Sequence, residues 1–324
     1  MYRDGYWGTG PVDMSAMSAI EQALWDIVGK KYKTPVYNLL GGKVRDKVKV
    51  YANGWYFGLK TIEEHAEKVG ELVEKGFRAF KWDPFRISGR DISHEDLEYA
   101  VECIAAVRKA AGPKVDLLIE GHGRFNVHSA VKVAKAMEPF NIFFFEEPIP
   151  QDNYQALKKV ADAVNVPLAG GERSYSYYHF RDLLAAQALD IVQPDLSHSG
   201  GILSLKKIAA MAETWYVGVA PHNASGPVHT AATVQVDATL NNFVIQECFP
   251  CDVEKCPWLH TIVDHPPVPV DGCITLSDRP GLGLDIDEEE IRKHPPQNRP
   301  VYSLYSPDSF LLTGVGATND ESGF

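Results

Sequence analysis

Three successive apolar runs of the sequence end in carboxylates. Glu120 ends VDLLIE, Glu146 lies in IFFFEE, and Glu172 ends PLAGGE, at two equal intervals of 26 residues. Converging carboxylates repel one another unless a positive charge lies between them, and oxygen ligands suit a hard cation such as Mg²⁺. The alternative is three unrelated acids, each paired with an arginine or lysine. The regular spacing favours a shared metal site, with Mn²⁺ as a substitute for Mg²⁺.

Acid–base groups stand at the ends of the other apolar runs. Lys81 lies in RAFKW, Glu247 ends FVIQE, and His122 lies two residues beyond the first carboxylate. Asp195 ends DIVQPD and His222 follows VGVAP, the next run along the chain. Because an aspartate beside a histidine orients and tunes an imidazole base, we predict a dyad of Asp195 and His222.

Eight short apolar runs must position these groups. They cover residues 48–54, 78–82, 115–121, 142–147, 167–172, 190–195, 217–221 and 243–247. Nearly continuous apolar character is typical of parallel strands buried on both faces. The segments between them carry helix signals, such as the capping box of Thr61 and Glu64 with Gly76 at the helix end. We therefore predict an α/β protein with a (β/α)₈ TIM-type barrel, in which catalytic groups lie at the C-terminal ends of strands.

Composition excludes several classes of function. The formal net charge of −11 argues against nucleic-acid binding, which needs Lys and Arg to neutralise phosphates. No run approaches the roughly 20 apolar residues that span a bilayer, and the first residues do not form a secretion signal. Five cysteines are too few for a disulfide framework in a chain of 324 residues. We expect a cytoplasmic enzyme with a small-molecule substrate and no nucleic-acid or membrane partner.

Several motifs occur together in order: EGHGRF, FFEEP, GGE, DIVQPDLSHSGG and VAPHN. With the segment from residue 10 to the LLGG at 39–42, they resemble the mandelate-racemase-like branch of the enolase superfamily. Within that branch the sequence is similar to sugar-acid dehydratases of the galactonate and gluconate type. The resemblance extends from about residue 10 to about residue 250.

The resemblance implies a role for each matching residue. Glu120, Glu146 and Glu172 match the Mg²⁺ ligands, and His222 with Asp195 matches the base that removes the proton α to the substrate carboxylate. Further expected roles are an acid for the departing 3-hydroxyl (His122), a hydrogen bond to a substrate carboxylate oxygen (Glu247), and substrate contacts (Arg124, Asn223). The expected product is a 2-keto-3-deoxy acid, and a homo-oligomer is expected.

The sequence departs from the family pattern at three places. The first metal ligand is Glu120, where the family usually has Asp, and the racemase-type Lys-x-Lys reads Lys81-Trp82-Asp83. The N-terminal α+β capping domain is shorter than in the family. We expect residues 1–45 to be a remnant of that domain and residues 46–265 to form the barrel. Residues 266–324 should complete the cap, with a disordered tail.

Two alternative functions stay open at this stage. A racemase or epimerase would use Lys81 and His222 as opposed bases, and the loss of the second lysine argues against it. An inactive protein that only binds a metal or a sugar acid would follow from the shortened cap. The complete set of acids and the histidine–aspartate pair favour the dehydratase.

Overall fold

The structure is a computed structural model, and it describes residues 2, 10–249 and 257–295. The chain forms two compact units. The described part of the first consists mainly of residues 10–50, 170–248 and 257–293, and that of the second mainly of residues 51–169. Strands β1 (Lys47–Ala52) and β5 (Leu168–Gly170) each contribute residues to both units. The sequence prediction of a disordered tail concerns residues outside the described ranges.

The second unit alternates strands and helices. Its remaining elements are α3 (Ile62–Glu74), β2 (Ala79–Trp82), α4 (His94–Ala111), β3 (Asp116–Glu120), α5 (Val127–Met137), a 3-10 turn (Glu138–Phe140), β4 (Ile142–Glu146) and α6 (Tyr154–Ala161). Strands β1 to β5 pair in chain order and all pairs are parallel. The last pair of β3 and β4 joins Glu120 with Glu146, so these two carboxylates lie side by side at the C-terminal strand ends.

Local sequence signals explain where these helices begin and end. The predicted capping box is present, since Thr61 Oγ1 accepts from Glu64 N and the Glu64 side chain accepts from Thr61 N. Gly76 follows the helix end at a φ of 98°, a conformation that glycine adopts without steric cost. The strands between the helices are almost fully buried, which explains the apolar runs.

The first unit holds the remaining strands and helices. These are α1 (Pro11–Tyr32), α2 (Val36–Leu39), α7 (Tyr177–Ala185), β6 (Ile191–Val192), α8 (Ile202–Glu213), β7 (Gly218–Val219), α9 (Pro227–Asp237), β8 (Gln246–Cys248), a 3-10 turn (Pro257–His260), β9 (Cys273–Thr275) and α10 (Glu288–Arg292). Strands β6 and β7 are parallel, and Gln193 N donates to Gly170 O of β5 at 2.9 Å. Helix α1 begins at Pro11, a residue that suits the first helical turn.

The segment after residue 265 is more regular than its sequence indicates. Strand β9 pairs antiparallel with β1, with Val48 opposite Ile274. Helix α10 begins after Asp287, whose side chain accepts from Glu290 N. One capping aspartate and three acidic residues in the first turn explain this short helix. None of the described helices has the length and apolar character needed to cross a membrane.

Candidate active site

In the second unit a buried lysine lies against two carboxylates. Lys81 Nζ is 2.9 Å and 2.8 Å from the two side-chain oxygens of Glu146, and 3.4 Å from Glu120 Oε2. All three side chains are almost completely buried. The Tyr51 ring, 5.3 Å from Nζ, adds a further favourable contact for the positive charge. This part of the site is therefore a compensated charge cluster at the ends of β2, β3 and β4.

The loop after β3 holds Glu120 and His122 in a fixed relation. His122 N donates to Glu120 Oε1 at 2.6 Å, and His122 has a φ of 50°, unusual for a residue with a side chain. A Cβ at Gly121 would lie 2.7 Å from Glu147 O, so only glycine fits at that position. The sequence EGHG thus builds a tight turn that places a histidine beside a candidate metal ligand.

His122 has a carboxylate partner just after the preceding strand. Its Nδ1 lies 2.8 Å from Asp83 Oδ2, and Asp83 follows strand β2 directly. The guanidinium of Arg124 also donates to Asp83 Oδ2. Burial by itself raises the pKa of Asp83, but Arg124 and His122 reverse this and hold it below its usual value. Asp83 is therefore an ionised carboxylate shared by a histidine and an arginine.

Arg124 was predicted to contact substrate, and the structure places it in the interior. Its side chain is 1% exposed, and Nε donates to Gly121 O at 3.1 Å. Nη1 donates to Arg86 O at 2.9 Å, and Nη2 donates to Asp83. In this structure the guanidinium is turned towards the protein and supports the loop after β3.

In the first unit, His222 and Asp195 form the predicted pair. His222 Nδ1 lies 2.7 Å from Asp195 Oδ2, and Ser197 N donates to Asp195 Oδ1 at 2.6 Å. Asp195 is 1% exposed, and its pKa is lowered: burial raises it, but the hydrogen bond with His222 and the nearby histidines prevail. With Nδ1 bound to the aspartate, Nε2 is the ring nitrogen left to act on a substrate.

The other nitrogen of His222 faces two glutamates. Nε2 lies 3.4 Å from Glu172 Oε2 and 3.8 Å from Glu247 Oε2. Burial alone would lower the pKa of His222, but the carboxylates of Glu172, Glu247 and Asp195 raise it well above its usual value. The imidazole therefore lies in a strongly negative environment that favours proton uptake.

Glu247 and Asn223 are joined in the same unit. Asn223 N donates to Glu247 Oε2 at 2.8 Å, and Asn223 Nδ2 donates to Glu247 O at 3.1 Å and to Thr230 Oγ1 at 2.9 Å. Both side chains are buried. The amide of Asn223 is thus engaged in holding the end of β8.

Sequence reasoning missed one histidine of this site. His229 is 5% exposed, and its Nε2 lies 3.5 Å from Asp195 Oδ1. Neither of its ring nitrogens has a hydrogen-bond partner among the residues that the structure describes. Burial lowers the pKa of His229 to about 4, so it is neutral at pH 7. It lies in α9, seven residues after His222 in a segment with no motif, so the sequence contains no local signal for it.

Two known protein families match the chain, one at each end of its sequence order. Residues 64–290 match the family described as enolase C-terminal domain-like, and residues 1–41 match the mandelate racemase/muconate lactonizing enzyme N-terminal domain. The chain belongs to the mandelate racemase/muconate lactonizing enzyme group of the enolase superfamily. The predicted family and the predicted (β/α)₈ barrel class are therefore confirmed.

Curated relatives include sugar-acid dehydratases. The chain is 42% identical over 280 residues to a D-gluconate/D-galactonate dehydratase of Picrophilus torridus, covering 86% of this chain and 71% of the relative. It is 39% identical to a D-gluconate dehydratase of Thermoproteus tenax, of which it covers 56%. A D-galactonate dehydratase of Xanthomonas euvesicatoria is 37% identical, with 93% of this chain and 80% of the relative covered. The chain thus spans only part of the length of each.

Solved structures show the same fold. A mandelate racemase/muconate lactonizing enzyme-like protein from Rubrobacter xylanophilus has a TM-score of 0.85 at 36% identity, covering 93% of this chain and 82% of that one. An enolase superfamily member from Salmonella Typhimurium has a TM-score of 0.86 at 32% identity, covering 90% and 80%.

Proposed function

We propose that this chain is a divalent-metal-dependent dehydratase of a gluconate- or galactonate-like sugar acid. One observation carries the proposal: two histidines are each held through Nδ1 by a buried aspartate, His222 by Asp195 and His122 by Asp83. Dehydration of a hydroxy acid needs a base for the α-proton and an acid for the leaving hydroxyl, and two such histidines supply one of each. The dehydratase relatives support the same reaction.

We propose that Glu120, Glu146 and Glu172 hold Mg²⁺, or Mn²⁺ in its place. The donors are three carboxylates, the oxygen ligands that hard divalent cations prefer. Lys81 contacts two of them and would remain beside a bound cation as a second, fixed positive charge. When bound, the cation would stabilise the negative charge that develops on the substrate carboxylate as the α-proton leaves.

His222 is the proposed base. In its neutral form, with Nδ1–H donated to Asp195, the imidazole takes the α-proton at Nε2, and the aspartate stabilises the imidazolium that forms. Glu247 is proposed to hydrogen-bond a substrate carboxylate oxygen, which requires a proton on Glu247. The backbone N–H of Asn223 holds the Glu247 side chain in place, and through Glu247 we assign Asn223 to the substrate-binding group.

His122 is the proposed acid. Its Nε2 gives a proton to the 3-hydroxyl oxygen as the carbon–oxygen bond breaks, with the bonding electron pair going to the oxygen. The electrons left at the α-carbon form the new double bond, and water leaves. The resulting enol takes up a proton at C3 and loses the proton of its C2 hydroxyl, and so becomes a 2-keto-3-deoxy acid. Arg124 supports this loop from the interior, and any contact with substrate stays a prediction.

The contacts of Lys81 argue against the epimerase alternative. A second base must be an unprotonated amine, and carboxylates on either side favour the ammonium form instead. Lys81 Nζ donates to both oxygens of Glu146. We therefore propose that Lys81 is a fixed positive charge in this site and contributes electrostatic stabilisation to the reaction.

The test is a substrate screen of the purified chain. The protein is incubated with Mg²⁺ and a panel of aldonic and aldaric acids, and 2-keto-3-deoxy products are measured. We expect turnover of a gluconate- or galactonate-like acid that disappears with EDTA and returns with excess Mg²⁺ or Mn²⁺. The variant Glu146→Gln should lose both the activity and the Mg²⁺-induced rise in melting temperature.

Three other outcomes would contradict the proposal. Deuterium incorporation at the α-carbon without loss of water would establish an epimerase. Stabilisation by magnesium with no product from any acid would establish a binding protein without turnover. Retained Mg²⁺-dependent turnover in Glu146→Gln would contradict the assigned ligands.

A further inference from the structure

Asp83, the carboxylate partner of His122, is itself neither the acid, the base nor a proposed metal ligand. It directly follows strand β2, two residues after Lys81, and its side chain is 4% exposed. Oδ2 faces His122 Nδ1 at 2.8 Å and accepts from Arg124, and Oδ1 accepts from Phe85 N at 2.9 Å. Both oxygens of this buried carboxylate are therefore fixed by the protein.

The contact with Asp83 decides which nitrogen of His122 faces outwards. With Nδ1–H donated to a fixed carboxylate, the ring cannot rotate without losing a charge-assisted hydrogen bond. Nε2 is then the nitrogen on the opposite side of the ring, the one proposed to give its proton to the substrate. Only 16% of the His122 side chain is exposed, and the backbone at φ 50° is held by the hydrogen bond from His122 N to Glu120.

Arg124 keeps the carboxylate of Asp83 in place. Each of its three guanidinium nitrogens donates a hydrogen bond, to Asp83 or to the carbonyl of Gly121 or Arg86. The guanidinium can therefore act as a rigid counter-charge. A buried carboxylate without such a partner would tend to take up a proton and lose its ability to stabilise a cation. The arginine thus preserves the negative charge that His122 needs beside it.

We propose that Asp83 is the positioning residue of the acid His122: it holds Nδ1–H and thereby directs Nε2 towards the hydroxyl group that leaves. The proposal rests on the proposed function, because it assigns a role within the same reaction. In the step concerned, the proton leaves His122 Nε2 for the hydroxyl oxygen, the carbon–oxygen bond breaks, and water departs. His122 is then neutral and still donates Nδ1–H to Asp83.

The first test separates the acid from the base. Asp83→Asn and Asp83→Glu are compared with the wild type for two rates: exchange of the α-hydrogen in D₂O, and formation of 2-keto-3-deoxy acid. Because Asp83 is proposed to support the acid and Asp195 supports the base, Asp83→Asn should retain exchange within about threefold while dehydration falls by at least about 100-fold, the scale of general acid catalysis. Asp83→Glu should recover part of the dehydration rate.

The control is Asp162→Asn, the same substitution at an exposed position whose carboxylate forms an ion pair with Lys158. It should change neither rate. Equal losses of exchange and dehydration in Asp83→Asn would overturn the proposal, because a structural defect affects both steps. Unchanged dehydration would also overturn it.

A second measurement does not depend on turnover. Side-chain ¹⁵N spectra of histidine-labelled protein report which ring nitrogen carries hydrogen, and His122→Gln identifies the signal of His122. We expect an Nδ1–H signal in the wild type and a change to Nε2–H in Asp83→Ala. The same Nδ1–H signal in both proteins would overturn the positioning role. A wild type without dehydratase activity would contradict the proposed function alone, and the spectra would still decide the role of Asp83.

Discussion

At the scale of single residues, the site is built from pairs in which one member fixes the other. Asp195 fixes His222, Asp83 fixes His122, and Asn223 fixes Glu247. Each supporting group is buried and accepts or donates at short distance. Such support matters because acid–base catalysis depends on the direction of a nitrogen lone pair or proton as well as on its pKa.

The assignment of His222 as the base leads to a direct prediction. His222→Asn should reduce α-hydrogen exchange in D₂O by about 100-fold or more, the usual contribution of a general base. Magnesium binding, measured by calorimetry, should remain because no proposed ligand is changed. His94→Asn, at the exposed first residue of α4, is the matched control and should behave as wild type. Persistent exchange in His222→Asn would make Lys81 the candidate base.

At the scale of elements, helix α1 is attached to the segment that follows β9. Gly281 N donates to Thr34 O and Leu282 N donates to Asp26 Oδ1. Lys30 forms an ion pair with Asp285 at 2.6 Å. The contact is close: a Cβ on Gly29 of α1 would lie 2.6 Å from Gly281 Cα. The backbone approach at this point therefore requires glycine.

Two glycine substitutions should have opposite effects on stability. Gly29→Ala should lower the free energy of unfolding by about 1–3 kcal/mol, because the added methyl meets backbone that must move. Gly70→Ala, in helix α3 with open space at its Cβ, should raise it by about 0.5–1 kcal/mol through helix propensity. Urea denaturation followed by circular dichroism measures both. Equal shifts in the two variants would show that the close approach of α1 to Gly281 does not determine stability.

At the scale of the whole molecule, buried ionisable groups make stability depend on pH. His229 has a pKa lowered to about 4 by burial, so the folded state resists protonation that the unfolded chain accepts near pH 6.5. Asp237 is buried, and within the described part of the chain neither of its carboxylate oxygens has a hydrogen-bond partner. Burial raises its pKa well above the usual value, although Arg45 opposes this. The two groups therefore act in opposite directions.

His229 should make the protein sensitive to acid. Between pH 6.5 and about 4 the unfolded state binds more protons than the folded state. The free energy of unfolding therefore decreases as the pH is lowered through that window, by on the order of 3 kcal/mol. Thermal melts at a series of pH values should show this fall in the wild type. His229→Gln, which does not titrate, should show a smaller one, and an unchanged slope would contradict the prediction.

Asp237→Asn provides the comparison with the opposite sign. Burial raises the pKa of Asp237 in the folded state, so the folded protein becomes less stable as the pH rises above the pKa of about 3.8 that the carboxyl has in the unfolded chain. Replacing it by a neutral amide should therefore raise the melting temperature at pH 7 and leave it nearly unchanged at pH 3. A lower melting temperature at pH 7 would show that the charged form is compensated.

The sequence by itself determined the family, the barrel class and the residues that end the strands. Those conclusions were available because a strand–helix unit has a regular length, so Glu120, Glu146 and Glu172 recur at one spacing after buried runs. The helix limits at Thr61 and Gly76 followed from local capping chemistry. Such signals depend on residues close together in the chain, and these can be read without knowing the fold.

Only the tertiary structure decided which groups support the strand-end residues. Asp83 meets His122 across 39 positions of the chain, and His229 lies beside Asp195 from a different element. Arg124 is turned towards the interior, although its position after EGHG gave no indication of direction. Strand β9 likewise pairs with β1 from far along the chain. These contacts depend on packing between distant segments, which local spacing and residue type do not determine.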